Sequence, residues 1–273
     1  MHLPAHAFMQ GREETRISMT GQTPVVPAIV ASNLELADLR AALAAGWRDF
    51  IAQPAFGLFF AGIYAVAGLF VCYALFTRVE AAWLIPAAAG FPLIAPFVAV
   101  GLYEVSKRRE AGLPMNWSAV LGALHGRDDE QILSMGAIVF VAFGFWLMVA
   151  HGIFAIFLAE SGLGSESLEL FQTQAGMMML VGGSTLGALM ALAFYSITVI
   201  SLPMLVDREV DFLTAIIMSL ATVRSNTFVM LAWAAWIAVA LFIAMIPLLL
   251  GLLVVLPVLG HANWHLYRRA VGP

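Results

Sequence analysis

Cysteine and charged residues are both scarce in this sequence. Cys72 is the sole cysteine among 273 residues. One cysteine excludes an internal disulfide, an iron–sulfur cluster and a copper site with two thiolates within a single chain. Only 11% of the residues are charged and 62% are hydrophobic, whereas soluble domains have about 25% charged residues. This balance predicts a protein embedded in the lipid bilayer, with no nucleic acid as a partner.

Long runs of apolar residues support this prediction, because about 20 such residues cross the hydrocarbon core of a membrane as a helix. The fold class that we predict is all-α, with six transmembrane helices in a single membrane domain over residues 34–273. Residues 1–33 lack an apolar core and are expected to form a retained cytoplasmic tail that is partly disordered. The predicted spans are 54–76, 81–103, 132–159, 175–205, 227–245 and 247–267.

The last two predicted spans come from one run, Thr227 to Gly260, which has no charged residue. As one helix this run would be about 51 Å long, which exceeds a bilayer core of roughly 30 Å. The alternative is a tight hairpin that turns near Pro247. With six spans and the N-terminus inside, Arg78 is the only Lys or Arg outside, as the positive-inside rule favours. We therefore expect two spans, both termini in the cytoplasm and a location in the bacterial inner membrane.

Each pair of predicted spans follows a short amphipathic segment, so the six spans form three hairpins that each begin with an interfacial helix. Any helix beside a membrane can have this pattern, so the repeat has an equally simple alternative explanation. The residues expected on one apolar side are Leu39, Leu43, Trp47 and Phe50, then Trp117, Val120, Leu121 and Leu124, then Leu213, Ile216, Ile217 and Leu220.

Small residues and prolines mark two of the spans. Gly183 and Gly187 form a small-xxx-small pair, which is typical of close helix packing in membranes. Pro86, Pro92 and Pro96 predict a bent or broken second span, which either lines a substrate path or is merely kinked.

Few residues could carry chemistry, and no catalytic residue is predicted. His151 is the one ionisable residue clearly inside a span; it is either a proton relay or ligand, or a neutral group bonded to a hydroxyl of Ser184, Thr185 or Tyr195. Met177 to Met179 could suggest copper(I), but three consecutive side chains on a helix point in different directions. No metal site or cofactor is expected.

His261 and His265 lie four residues apart, which places both imidazoles on one helix face. They could hold a haem or metal, with His125 and Asp128 or Asp129 nearby as possible further ligands. The alternative is an interfacial anchor, because Trp264, Tyr267 and two arginines adjoin them as in an aromatic belt. The composition favours the anchor, and His261, His265, His151, Trp264 and Tyr267 are the candidate ligand or partner residues.

The two ends of the chain resemble domain-of-unknown-function family 2189, a group of bacterial integral membrane proteins. The resemblance spans roughly residues 25–270. The residues that carry the resemblance are Asp38, Gly46, Trp47, Asp49, Pro54, Gly57, Gly62 and Tyr64, then Leu256, Pro257, Gly260, His261, Trp264, His265 and Tyr267. The resemblance implies an inner-membrane location and no established activity. Some members are labelled putative cytochrome c oxidase subunit, but a catalytic oxidase subunit needs several histidines inside its spans, and this chain has one.

Three functional classes follow from these observations. The first is a non-enzymatic membrane protein that is an accessory or assembly partner of a respiratory oxidase complex. The second is a transporter of small solutes or lipids, which should have a polar cavity near the membrane midplane, lined by His151. The third is a redox protein that binds haem or metal through His261 and His265. A partner subunit should instead have a closed interior and small residues exposed at the level of the lipid.

Overall fold

The chain is all-α over the residues that the computed structural model describes, which are 33–77, 91, 95–122, 129–161 and 172–272. These residues contain helices and connecting turns, and no strand occurs within those ranges. In chain order the helices are α1 (Leu36–Ala52), α2 (Pro54–Thr77), α3 (Ala95–Val98), α4 (Val100–Glu110), α5 (Trp117–Gly122), α6 (Asp129–Ser161), α7 (Gln174–Thr198), α8 (Ser201–Asp207), α9 (Phe212–Ser225), α10 (Thr227–Met245) and α11 (Leu252–Val271).

Four helical segments in the described residues are long and apolar enough to cross a membrane. They are Pro54–Ala74, Gln131–Phe157, Gln174–Asp207 and Thr227–Met245, and they agree with four of the six predicted spans. Large apolar side chains cover their outer faces, as with Phe140 (77% exposed), Phe228 (73%) and Phe242 (70%). Such faces match a lipid environment, because the hydrocarbon core offers no partner for polar groups.

The other two predicted spans are not confirmed. Most of the predicted span 81–103, including Pro86 and Pro92, lies outside the described residues, and α3 and α4 contain only its end. Helix α11 begins at Leu252 rather than 247, and its second half contains Asn263, Arg268 and Arg269. That half is too polar for α11 to count among the four apolar segments.

The long apolar run after Thr227 is two helices, which confirms the predicted break. Helix α10 ends at Met245 and α11 begins at Leu252, with turns between them. The two helices are antiparallel, because Gly251 lies against Ala244 and Asn263 bonds Trp233. Leu248 and Leu249 have φ of 50° and 64°, a left-handed conformation that costs a leucine roughly 1–2 kcal/mol. Leu249 is only 4% exposed, so its burial offsets this cost.

Helix α11 lies at the centre of the described bundle. It packs against α1, α2, α4, α8 and α10, and α1 has its most extensive contact with α11. Glycine allows this contact, since a Cβ atom at Gly46 would lie 2.6 Å from both the Ala262 nitrogen and the Val258 oxygen of α11. The backbones of the two helices therefore touch at Gly46, as small residues permit.

The three predicted amphipathic helices are present as α1, α5 and α9, but the predicted face of α1 is partly wrong. Trp47 is 46% exposed, whereas Asp49 and Gly46 are on the buried side with Leu39 and Phe50. The reason is that α1 packs along α11, so its inner face contains the small and charged residues which contact that helix.

Helices α5 and α9 differ from α1 in what they expose. In α5 Val120 is buried and Trp117 is exposed. The Trp117 ring contacts Phe56, with the ring centroids 4.2 Å apart. Leu124 lies outside the described residues. In α9 the predicted apolar side faces outward, with Leu213 57% and Ile217 56% exposed. That outward face is the one expected to lie on lipid.

Replacing Gly46 by alanine should destabilise the protein, because the new methyl group would collide with the backbone of α11. We expect the free energy of unfolding to fall by about 1–3 kcal/mol, as for other overpacked sites. Thermal or denaturant unfolding in detergent measures this change. Gly62→Ala is the matched control, since a Cβ at Gly62 has nothing within 4 Å and alanine favours a helix. Equal stability of the two variants would contradict the close contact.

Candidate functional site

The polar residues near the end of α11 form several buried polar contacts with other helices. His261 and His265 belong to one group with Asp49 of α1 and with Ser106 and Arg109 of α4, which we call the carboxylate cluster. The spacing of four residues places both imidazoles on one side of α11. Asp49 reaches them because it lies one turn after Gly46, where α1 touches α11.

Asp49 is the acceptor at the centre of the carboxylate cluster. Its Oδ2 accepts from Ser106 Oγ at 2.7 Å and from His265 Nε2 at 2.8 Å. Its Oδ1 accepts from Arg109 Nη1 at 2.9 Å, and the same nitrogen donates to the Arg48 carbonyl at 2.7 Å. One carboxylate thereby connects three helices, and charge-assisted bonds of this kind are stronger than neutral ones.

Electrostatics keeps Asp49 ionised. Burial raises the pKa of Asp49, but the hydrogen bonds from His265 and Ser106 and the nearby imidazoles lower it, and the net pKa is below its ordinary value. A carboxylate that accepts several hydrogen bonds is expected to behave in this way. The negative charge of Asp49 is therefore matched directly by Arg109, at a site only 7% exposed.

His261 is neutral and has a defined tautomer. Ser106 Oγ lies 2.8 Å from His261 Nδ1 and donates its one hydrogen bond to Asp49, so Nδ1 carries a hydrogen and donates to Ser106 Oγ. His261 Nε2 is then unprotonated; it is fully buried and has no hydrogen-bond partner.

The arrangement does not suit nucleophilic catalysis. A Ser–His–Asp triad needs the histidine between the serine and the carboxylate, whereas here Ser106 lies between Asp49 and His261. Ser106 is also 1% exposed, so a substrate cannot reach its hydroxyl. What the cluster can do is hold α1, α4 and α11 in one relative position.

A metal or haem site is not favoured by these contacts either. His265 Nε2 is bonded to Asp49, and His261 presents only an enclosed nitrogen. The described ranges contain no group of three or more His, Cys, Asp or Glu residues placed to hold a metal ion. His125 and Asp128, which were considered as further ligands, lie outside the described residues, and so does the side chain of Asp129.

A second polar group lies around Asp207 at the end of α8. Asp207 Oδ2 accepts from Tyr267 Oη at 2.8 Å and from Arg268 Nη1 at 3.2 Å. Arg268 Nε also donates to Glu110, which accepts from Trp264 Nε1 at 3.0 Å. Trp264 and Tyr267 are 1% and 0% exposed. The prediction of an aromatic belt facing lipid headgroups is therefore wrong for these two side chains, which contact protein instead.

Asn263 is the centre of a third buried polar group, which was not predicted from the sequence. Its Nδ2 donates to the Val199 carbonyl at 2.8 Å and to Tyr103 Oη at 3.2 Å, and its Oδ1 accepts from Trp233 Nε1 at 3.3 Å. One amide side chain thus connects four segments of the bundle. Burial without these partners would cost several kcal/mol in free energy.

Ion pairs bring the charges of several helices to one end of the bundle, which we call the charged end. Glu104 pairs with Arg108 within α4. The Arg and Lys pairs between helices include Asp49–Arg109, Lys107–Asp207, Asp207–Arg268, Glu110–Arg268 and Asp38–Arg269. Segments that are far apart in the sequence therefore share this end.

The remaining candidate residues lie away from the charged clusters. A Cβ at Gly187 would be 3.0 Å from the Trp146 ring of α6, and one at Gly183 would be 4.0 Å from Ile153, so both glycines face α6. His151 is partly buried on α6. Two of its predicted partners donate elsewhere, because Thr185 bonds the Val181 carbonyl and Tyr195 bonds the Met230 carbonyl. Met177 and Met178 are exposed and Met179 is buried, so these three side chains do not converge.

One cavity in the described bundle lies at the charged end, with a volume of about 280 Å³. It is located between α4, α5, α8 and the first turns of α6, and its walls contain both acidic and basic side chains. His151 is not part of its lining.

Asp49→Asn should lower the free energy of unfolding by roughly 2–4 kcal/mol, because an amide cannot match Arg109 and leaves buried donors poorly paired. Unfolding in detergent measures the loss. Asp211→Asn is the matched control, because Asp211 caps the N-terminus of α9 and asparagine caps equally well. The role of the carboxylate cluster would be refuted by equal effects of the two changes.

Comparison with known proteins supports the family resemblance over part of the chain. Residues 84–207 match the family model described as "Predicted integral membrane protein (DUF2189)". The matched segment is somewhat less than half of the chain, and the motifs around Asp49 and His261 lie on either side of it. No curated protein and no solved structure matches the chain. The resemblance to this family is thus supported by a match over residues 84–207, and the described residues of the chain contain several helices apolar enough to cross a membrane.

Proposed function

We propose that this chain is a non-enzymatic integral membrane protein that works by associating with another membrane protein. The observation that carries the proposal is a stretch of small and polar residues exposed on α7. Gly182, Ser184 and Thr185 are exposed there, and a Cβ at Gly182 has no atom within 4 Å. Small residues on a lipid-level helix face are typical of close helix–helix contact.

The depth of this stretch supports contact with a transmembrane helix of a partner. Gly182 lies eight residues after the first residue of the segment Gln174–Asp207, which is about 12 Å at 1.5 Å per residue. Gly182 therefore lies inside the apolar segment, toward its end away from the charged end.

The interior of the bundle supports the same proposal over transport or catalysis. Asp49, Ser106, His265 and Asn263 all use their polar groups in contacts between helices. A transport path lined by His151 would need a cavity near the middle of the spans, whereas the cavity described above is at the charged end and is not lined by His151.

For the membrane topology we propose six crossings with the charged end and both termini in the cytoplasm of a bacterium. The support is the collection of Lys107, Arg109, Arg268 and Arg269 at one end, since Lys and Arg favour the inner side. Helix α11, which has 20 residues and is about 30 Å long, would return the chain from the far side to the charged end. A respiratory oxidase is the partner class that the family resemblance implies.

The test is purification of the tagged full-length protein from its own membranes in mild detergent, with a photo-cross-linker at Ser184. We expect a defined membrane protein to be cross-linked and recovered, as identified by mass spectrometry. The visible spectrum shows whether haem accompanies it, as it should with an oxidase.

Gly182→Ile should reduce recovery of that partner by about tenfold, equivalent to about 1.4 kcal/mol, because a bulky side chain blocks close approach. The control is Gly62→Ile, which also has open space but lies on α2. A protein recovered alone and without colour, or equal recovery with both variants, would overturn the proposal. Haem bound without any partner would instead point to His261 and His265 as ligands.

A further inference from the structure

The cavity at the charged end has both a charged and an apolar wall. Leu113, Ile132, Leu205, Val206 and Val210 contribute to its apolar lining. Among the described residues, three acids and three bases contribute to the charged lining. These six residues are Glu104, Lys107, Arg108, Asp207, Arg208 and Glu209.

The cavity lies at the level where two apolar segments leave the membrane. Gln131 is the first residue of the segment Gln131–Phe157, and Asp207 is the last residue of Gln174–Asp207. Both residues line the cavity. In a bilayer this level is the headgroup layer, next to the hydrocarbon core.

The charges of the lining are held in place and are partly removed from water. The side chains of Glu104, Arg108 and Asp207 are 14%, 16% and 13% exposed. Lys107 Nζ is fixed by the Val206 carbonyl at 2.6 Å and the Asp207 carbonyl at 3.2 Å. Arg108 donates to Glu104 and to the Pro114 carbonyl. Two of its five N–H groups are not used in these bonds.

We propose that this cavity binds the headgroup of a zwitterionic phospholipid that has a primary ammonium, as in phosphatidylethanolamine. The phosphate would accept from the two N–H groups of Arg108 that its bonds to Glu104 and Pro114 do not use, and the ammonium would donate to the carboxylate of Glu104. The apolar side chains at the membrane level, Ile132 and Leu205 among them, would contact the glycerol end. This site is independent of the partner contact proposed for α7.

Size and charge argue against other ligands. The volume of about 280 Å³ is near the lower limit of small-molecule sites, roughly 300–1,000 Å³, so a headgroup fits but a whole lipid does not. A headgroup without an ammonium would bring a negative phosphate beside Glu104, whose side chain is only 14% exposed, and would offer that carboxylate no donor. Choline has no N–H to donate to this carboxylate.

The experiment is native mass spectrometry of the full-length protein in detergent, with phosphatidylethanolamine, phosphatidylcholine or phosphatidylglycerol added at equal concentration. We expect phosphatidylethanolamine to be retained about tenfold more than either other lipid, as expected for two or more charge-assisted hydrogen bonds. Soluble phosphoethanolamine, added separately, should compete only weakly, because it lacks the part that lies in the membrane.

Gly122→Leu tests the location, because Gly122 lines the cavity and a Cβ there meets no atom within 4 Å. The added side chain should fill the cavity without a clash and lower retention of phosphatidylethanolamine about tenfold. Gly144→Leu on α6 is the matched control, since Gly144 also has open space and lies away from the cavity. Arg108→Gln combined with Glu104→Gln keeps the net charge and should cause the same loss.

Three results would overturn the proposal. They are equal retention of the three lipids, preference for phosphatidylglycerol, and equal loss in Gly122→Leu and Gly144→Leu. Competition by phosphoethanolamine at the same concentration as the lipid would show that the site takes a soluble zwitterion rather than a membrane lipid.

Discussion

Contact between the backbones of α1 and α11 is the constraint on which the described fold depends. At Gly46 there is no room for even one methyl group between the two helices. That closeness carries Asp49 to the imidazoles of α11 and to Ser106 of α4. Without it the carboxylate would be too far from its partners, and α1 would be only an amphipathic helix on the membrane surface.

The central helix differs from what is usual in a membrane protein. Most helices in a bundle of this kind present apolar residues inward, whereas the second half of α11 presents imidazole, amide, indole, phenol and guanidinium groups to its neighbours. Each group has a specific partner on another helix. Packing in lipid gains little from the hydrophobic effect, so such bonds define which helices meet and in which register.

The sequence predicted the helices better than their contacts. Apolar runs define α2, α6, α7 and α10 to within a few residues, because length and hydropathy determine what can cross a membrane. The break after Met245 was also predictable, since one helix over the whole run would be too long.

The polar contacts could not be predicted in the same way. Four-residue spacing placed His261 and His265 on one helix face. Nothing in the sequence pairs these histidines with Asp49 or Ser106, because both residues lie far earlier in the chain. Trp264 and Tyr267 have the composition of an interfacial belt, yet they are buried. Composition is the same in both settings, and only tertiary contacts distinguish a buried network from a surface that contacts headgroups.

The position of α11 in the chain has a consequence for how the protein is made. Ten described helices precede it, and chains fold from the N-terminus as they are synthesised. The helix that occupies the centre therefore arrives after its neighbours have already entered the membrane. Until then Asp49, Ser106, Glu110 and Asp207 lack the partners that α11 supplies, so the earlier helices must remain open enough to admit it. The centre of the described bundle is therefore filled only after the helices around it have been made.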